Sequence, residues 1–157
     1  MSTWRKRTIE GIRPGEVFTF TRTFTREDTG VFGDITRDYN PVHYDERFAA
    51  AKGFDGLICH GLLVGGMICE LGGQLAWLAS GMSFKFIKPV YFGDTVTCIV
   101  MITDVDAKNR ARAVAEYVNQ HGVRVMEGHL TGHLPGESDR GVLRDMVAEG
   151  DSTNKLT

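Results

Sequence analysis

The stretch GLLVGGMICELGGQLAWLA, residues 61–79, decides the fold. Leu62, Met67, Leu71, Leu75 and Leu78 recur at roughly helical spacing, and Glu70 is the only charged residue among them. A helix that is apolar on nearly every side is a buried helix. The spacing therefore predicts one long buried helix over 61–79. Gly65, Gly66, Gly72 and Gly73 each cost about 1 kcal/mol relative to Ala in a helix interior. Close packing against a sheet or a second subunit is the natural compensation.

Downstream of this helix the pattern changes to strand after strand. Alternation over 82–87, 95–103, 111–119 and 123–134 predicts four strands. Turns fall at Gly93-Asp94, at 106–110 and at His121-Gly122, and Pro135-Gly136 closes the series. Val96, Cys98, Val100 and Ile102 form one face of the second, and Met126, Leu130 and Leu134 one face of the last. Short turns between consecutive strands imply an antiparallel meander. Upstream, residues 17–24 (VFTFTRTF) alternate as a strand. Thr25 and Asp28 form a capping box that opens a helix over 26–36, with Val31, Phe32 and Ile35 as its apolar face. Asp45 caps a short helix over 46–51. The expected class is α+β, an antiparallel sheet wrapped around one long central helix.

With 157 residues, 42% of them hydrophobic, the chain fits a single domain over 1–157, with its core at about 10–134 and a polar tail, 135–157, that frays beyond a weak helix near 142–147. A net charge of −2 gives no basic footprint for nucleic acid. The basic start is not followed by an apolar stretch, so no secretory signal is expected, and no run reaches the roughly 18 apolar residues of a membrane span. Cys59, Cys69 and Cys98 are odd in number and form no CxxC pair; small buried hydrophobes in a reducing cytoplasm are the expectation.

Between the second and third elements lies DYNPVHYD, residues 38–45. Pro41 cannot continue a helix and pushes Asn40 towards extended backbone. On a helix, Asp38 and His43 would point about 140° apart. In a proline-braced loop they can converge on one water, where a carboxylate and an imidazole form a workable acid/base pair. Asn40 can fix the loop through its amide. His60-Gly61 opens the buried helix, and the first N–H groups of a helix lack internal partners. The N–H of Gly61 is thus a candidate oxyanion donor for a thioester carbonyl.

Phe32 to Leu63 resembles the hydratase signature of the MaoC-like, (R)-specific enoyl-CoA hydratase and dehydratase family. The likeness rests on Asp38-Tyr-Asn-Pro-Val-His43-Tyr-Asp45, Ala49-Ala50 and His60-Gly61-Leu62-Leu63. FKFIKPVYFGD, residues 84–94, resembles that family's strand after the central helix, and the opening over 12–24 also fits. The resemblance implies a hot-dog fold, a homodimer or higher oligomer, and a tunnel for an acyl-pantetheine arm near the subunit contact. It assigns Asp38 and His43 to acid/base catalysis, Asn40 to loop support and the Gly61 N–H to the oxyanion. His60, Leu62 and Tyr39 are expected to face the substrate, an acyl thioester of coenzyme A or acyl carrier protein. No cofactor and no metal are expected. Arg37 departs from the small or acidic residue common before the catalytic Asp.

Other readings remain open at this point. Glu70 on the central helix is where some hot-dog thioesterases carry a carboxylate that attacks the thioester or directs water at it. A silent acyl-binding hot-dog protein is a third reading. Lys85, Lys88 and Arg124 either meet coenzyme A phosphates or form a solvated face. His129 and His133, four apart on a strand, stand roughly 13 Å from each other, too far for one metal.

Overall fold

The computed structural model describes residues 3–156. The elements in chain order are α1 (Thr3–Glu10), β1 (Val17–Thr23), α2 (Arg26–Thr36), a 3-10 turn (Pro41–His43), α3 (Glu46–Ala51), α4 (Gly61–Gly65), α5 (Ile68–Leu75), β2 (Leu78–Phe86), β3 (Thr95–Val105), β4 (Arg110–Asn119), β5 (Arg124–His133) and α6 (Glu137–Ala148). The five strands form one antiparallel sheet in the order β1-β3-β4-β5-β2. The expected meander holds only for β3, β4 and β5; β2 leaves the helix and crosses to the far edge beside β5.

The sheet wraps α4 and α5 as expected. Val96, Cys98, Val100 and Ile102 are wholly buried against them, with Phe18 and Phe20 from β1 and Met126 and Leu130 from β5. The central helix, however, is not one rod over 61–79. Between α4 and α5 the backbone tightens to three-residue bonds: Met67 N–H to Val64 O (3.1 Å), Cys69 to Gly66 (2.9 Å) and Glu70 to Met67 (3.0 Å). It ends at Leu75, where Ala76 takes a left-handed conformation (φ 50°) and Trp77 N–H returns to Gly72 O. Leu78 and Ala79 already belong to β2.

Three further expectations are corrected. The capping box of α2 forms, but Val31 and Ile35 are exposed and the buried residues are Thr29 and Gly33. Cys69 is exposed, unlike Cys59 and Cys98, whose thiols burial pushes up to about 12. The tail is not frayed. After α6, which runs well beyond 142–147, Asp151 pairs with buried Arg5 of α1 at 3.7 Å, and Arg5 also reaches Thr153 Oγ1 (3.3 Å) and the Gly73 carbonyl (3.4 Å). Both chain ends are thus clamped on α5. Among the described residues no helix is long and apolar enough to cross a membrane.

Candidate active site

α2 stops at Arg37, whose left-handed backbone (φ 59°) turns the chain into the Asp38 loop. That conformation is the structural role of Arg37. Asp38 Oδ1 accepts from Asn40 N–H, and Asn40 Oδ1 accepts from Val42 N–H (3.3 Å), capping the 3-10 turn that Pro41 opens. Asn40 therefore braces the loop, in the manner expected of its amide. At the end of this turn His43 is buried. Its Nδ1 lies 2.7 Å from the Ile58 carbonyl. A carbonyl only accepts, so Nδ1 carries the proton and Nε2 keeps a free lone pair. Burial, against the raising effect of the Ile58 hydrogen bond, holds the His43 pKa below the ordinary imidazole value; His60 lowers it further and Asp38 raises it.

His60 stacks on His43 with ring centroids 3.8 Å apart and donates Nε2–H to the Asp38 carbonyl at 2.9 Å. The Asp38 carboxylate lies 3.8 Å from the same ring nitrogen. One nitrogen from each histidine and one Asp38 oxygen lie within 4.8 Å of one another. The trio is compact enough for a cation on distance alone. Stacked rings, however, leave a shared ion well out of both ring planes, which is poor geometry for imidazole ligands.

Two clefts flank this cluster. One, of about 330 Å³, is lined by His43, Ile58, Gly61, Val64, Phe86 and Met126 among others, and Lys88 stands on its wall. The second, about 270 Å³, holds Asp38, His60, Gly61, Leu62, Phe32 and Thr36 beside the same Phe86. Gly61 and Phe86 are common to both. A Cβ on Gly61 would come 2.6 Å from the Phe86 ring. A side chain at 61 would have to displace the Phe86 ring from this position, a reason for glycine that did not emerge from the sequence. As the first residue of α4, Gly61 has no helical carbonyl for its N–H.

The remaining candidates separate clearly. Leu62 is exposed on the Asp38 side. Tyr39 lines neither cleft; its hydroxyl donates to Asp34 at 3.1 Å. Glu70 is held by Arg22 at 2.7 Å and also lines neither cleft. Lys85 pairs with Glu127, and Arg124 with Glu116 and Glu127. Three contributors were missed in the sequence: Phe86, the Ile58 carbonyl and Tyr44. The Tyr44 hydroxyl reaches the Asp38 carbonyl at 3.4 Å and lies so near α2 that only a glycine fits at position 33. Gly33 was the one sequence signal for that approach.

Known proteins resemble this chain over most of its length. The family model described as "MaoC like domain" matches residues 11–123. An (R)-specific enoyl-CoA hydratase from Rhodospirillum rubrum is 31% identical over 131 residues, covering 81% of this chain and 91% of its own. A mitochondrial 3-hydroxyacyl-[acyl-carrier-protein] dehydratase from Arabidopsis thaliana is 26% identical, over 79% of this chain and 78% of its own. Among solved structures, the (R)-hydratase of A. caviae involved in PHA biosynthesis superposes with a TM-score of 0.75 at 28% identity, over 80% of this chain and 99% of that one. The sheet wrapped around a central helix is thus the hot-dog fold, and the chain belongs to the MaoC-like domain family.

Proposed function

We propose that the chain is a hydro-lyase that adds water to a trans-2-enoyl thioester, giving a (3R)-hydroxyacyl thioester, or catalyses the reverse dehydration. The observation that carries this reading is the hydrogen bond from His43 Nδ1 to the Ile58 carbonyl, because it frees Nε2 as a base beside the Asp38 carboxylate. Water between them loses a proton to His43 Nε2 as its oxygen attacks C3. Negative charge developing on the thioester oxygen is met by the Gly61 N–H. As the C2=C3 π bond opens, C2 takes up that proton, passed on from His43 through the Asp38 carboxyl group or through water. The new C3–O bond, the proton taken up at C2 and the proton released from water balance as one hydration.

Coenzyme A and acyl carrier protein are both carriers named among the relatives. Lys88 on the wall of the His43 cleft suits an anionic carrier arm. A homodimer is the assembly that fits best. β2 is an edge strand whose Leu78, Met82 and Phe86 are exposed, and a second copy would cover both the edge and these side chains.

The test is a short trans-2-enoyl-CoA mixed with the protein. Loss of enoyl absorbance without free thiol supports the reading. Released thiol would identify a thioesterase instead, and saturable binding with neither change an acyl-binding protein. Sedimentation of the purified chain as a monomer at micromolar concentration would overturn the dimer.

A further inference from the structure

Two apolar hollows lie end to end along the inner face of β2, with one side chain between them. In the β2–β5 register Phe86 stands opposite Met126, Phe84 opposite Gly128 and Met82 opposite Leu130. Alternate residues of a strand share a face, so these pairs are consecutive rungs of one surface. Phe86 and Met126 line the His43 cleft. Met82 and Leu130 line a second hollow of about 230 Å³, with Ile68, Cys69, Gly72 and Trp77. The helix steps in parallel: Gly61 and Val64 face the cleft, Ile68 and Gly72 the far hollow. Gly65 falls between.

The middle rung is Phe84. A Cβ on Gly65 would come within 3.3 Å of its ring, and a Cβ on Gly128 within 3.1 Å. The ring therefore occupies the space that helix and sheet both leave by carrying glycine. Tyr117 packs edge-on against it, centroids 6.4 Å apart, and donates its buried hydroxyl to the Gly65 carbonyl at 2.9 Å. Held on three sides, the ring is a fixed partition. Gly72 has a different part: a Cβ there would meet nothing nearer than 3.9 Å, so that glycine leaves the far hollow open.

We propose that Phe84 is a specificity-determining residue that ends the acyl site. It stands on the rung between the His43 cleft and the far hollow and restricts the substrate to short enoyl chains. The hollow beyond it is an alkyl subsite closed off in the present sequence. This rests on the reading of the cleft as a thioester site. At about 330 Å³ the cleft lies at the small end of ligand pockets, which span roughly 300–1,000 Å³. It takes the thioester head and little more. The far hollow carries no charged side chain, which suits methylenes. A wall misfit of one methylene discriminates by roughly 10–200-fold.

The experiment compares kcat/KM for crotonyl-CoA and trans-2-decenoyl-CoA in the wild type, Phe84→Ala and Phe84→Leu. Near-UV circular dichroism checks the fold of each. The wild type is expected to favour crotonyl-CoA. The decenoyl-to-crotonyl ratio is expected to rise about tenfold or more in Phe84→Ala, and less in Phe84→Leu. An unchanged ratio in either folded variant overturns the partition. So does a wild type that hydrates both substrates equally well, which decides the matter even if both variants unfold. Wild-type protein inert towards both substrates overturns the hydratase reading itself, and the inference with it.

Discussion

His43 is neutral in the folded protein further into acid than a free imidazole, chiefly because burial disfavours its cation. If neutral His43 is the base, kcat/KM stays level as pH falls through 6.5 and declines only below it. A decline centred above 6.5 in a pH–rate profile would contradict that. The sign for stability is the same: the folded state binds the proton less readily, so the contribution is present above 6.5 and is lost as pH falls through the lower folded value. The Asp38 side chain is half exposed, so Asp38→Asn is expected to keep its melting temperature within a few degrees while losing at least about a hundredfold in kcat. Unimpaired hydration by that variant would remove Asp38 from the chemistry. At this scale the sequence was most legible where chemistry and backbone share a motif. Pro41 and Asn40 announced the turn, and Asp38 and His43 do converge. Nothing in the sequence indicated that the Ile58 carbonyl, fifteen residues away, orients the imidazole. His60 lines the Asp38 cleft but is almost wholly buried, and its Nε2–H is taken by the Asp38 carbonyl.

Elements were legible where periodicity and burial coincide, and obscure where they part. Residues 17–23, 95–105, 110–119 and 124–133 alternate and are strands. The central helix was overrun because Ala76, not glycine, makes its left-handed end and the apolar run continues into β2. The Gly65-Gly66 pair hid the tightening between α4 and α5. α1 was missed because its buried residues are Arg5 and Thr8, which no hydrophobic pattern marks. Glycines now divide by what surrounds them. A Cβ on Gly132 would sit 2.3 Å from the Leu78 carbonyl and 2.4 Å from the Trp77 indole nitrogen, so Gly132→Ala is expected to cost about 2–3 kcal/mol through overpacking. Gly30 lies inside α2 with open space around it, and Gly30→Ala is expected to add about 0.5–1 kcal/mol. Urea titration of the two variants checks the opposite signs.

For the molecule as a whole, the sheet's order was the least legible feature. Adjacent strands in sequence suggested a meander, whereas β2 lies at the edge beside β5, with β5 and β4 between it and its successor β3. The ends were misjudged as well: a polar tail gives no sign that its aspartate will be buried against an arginine at the other terminus. Removing one partner of such a pair costs about 3 kcal/mol or more. Arg5→Ala is therefore expected to lower the melting temperature by roughly 6–12 °C in a scanning calorimeter, and a shift within error would show the clamp to be ornamental.

That clamp also orders events in time. Arg5 and Thr153 are 148 positions apart, against three for the Asn119–Gly122 turn that joins β4 to β5. Closing so large a loop costs about 4 kcal/mol of chain entropy before any reward arrives. The hairpins therefore zip first and the two termini knot together last. On the return journey the seam opens first: a dilute protease should nick the segments at 3–10 and 149–156 while the β3–β5 sheet is still intact.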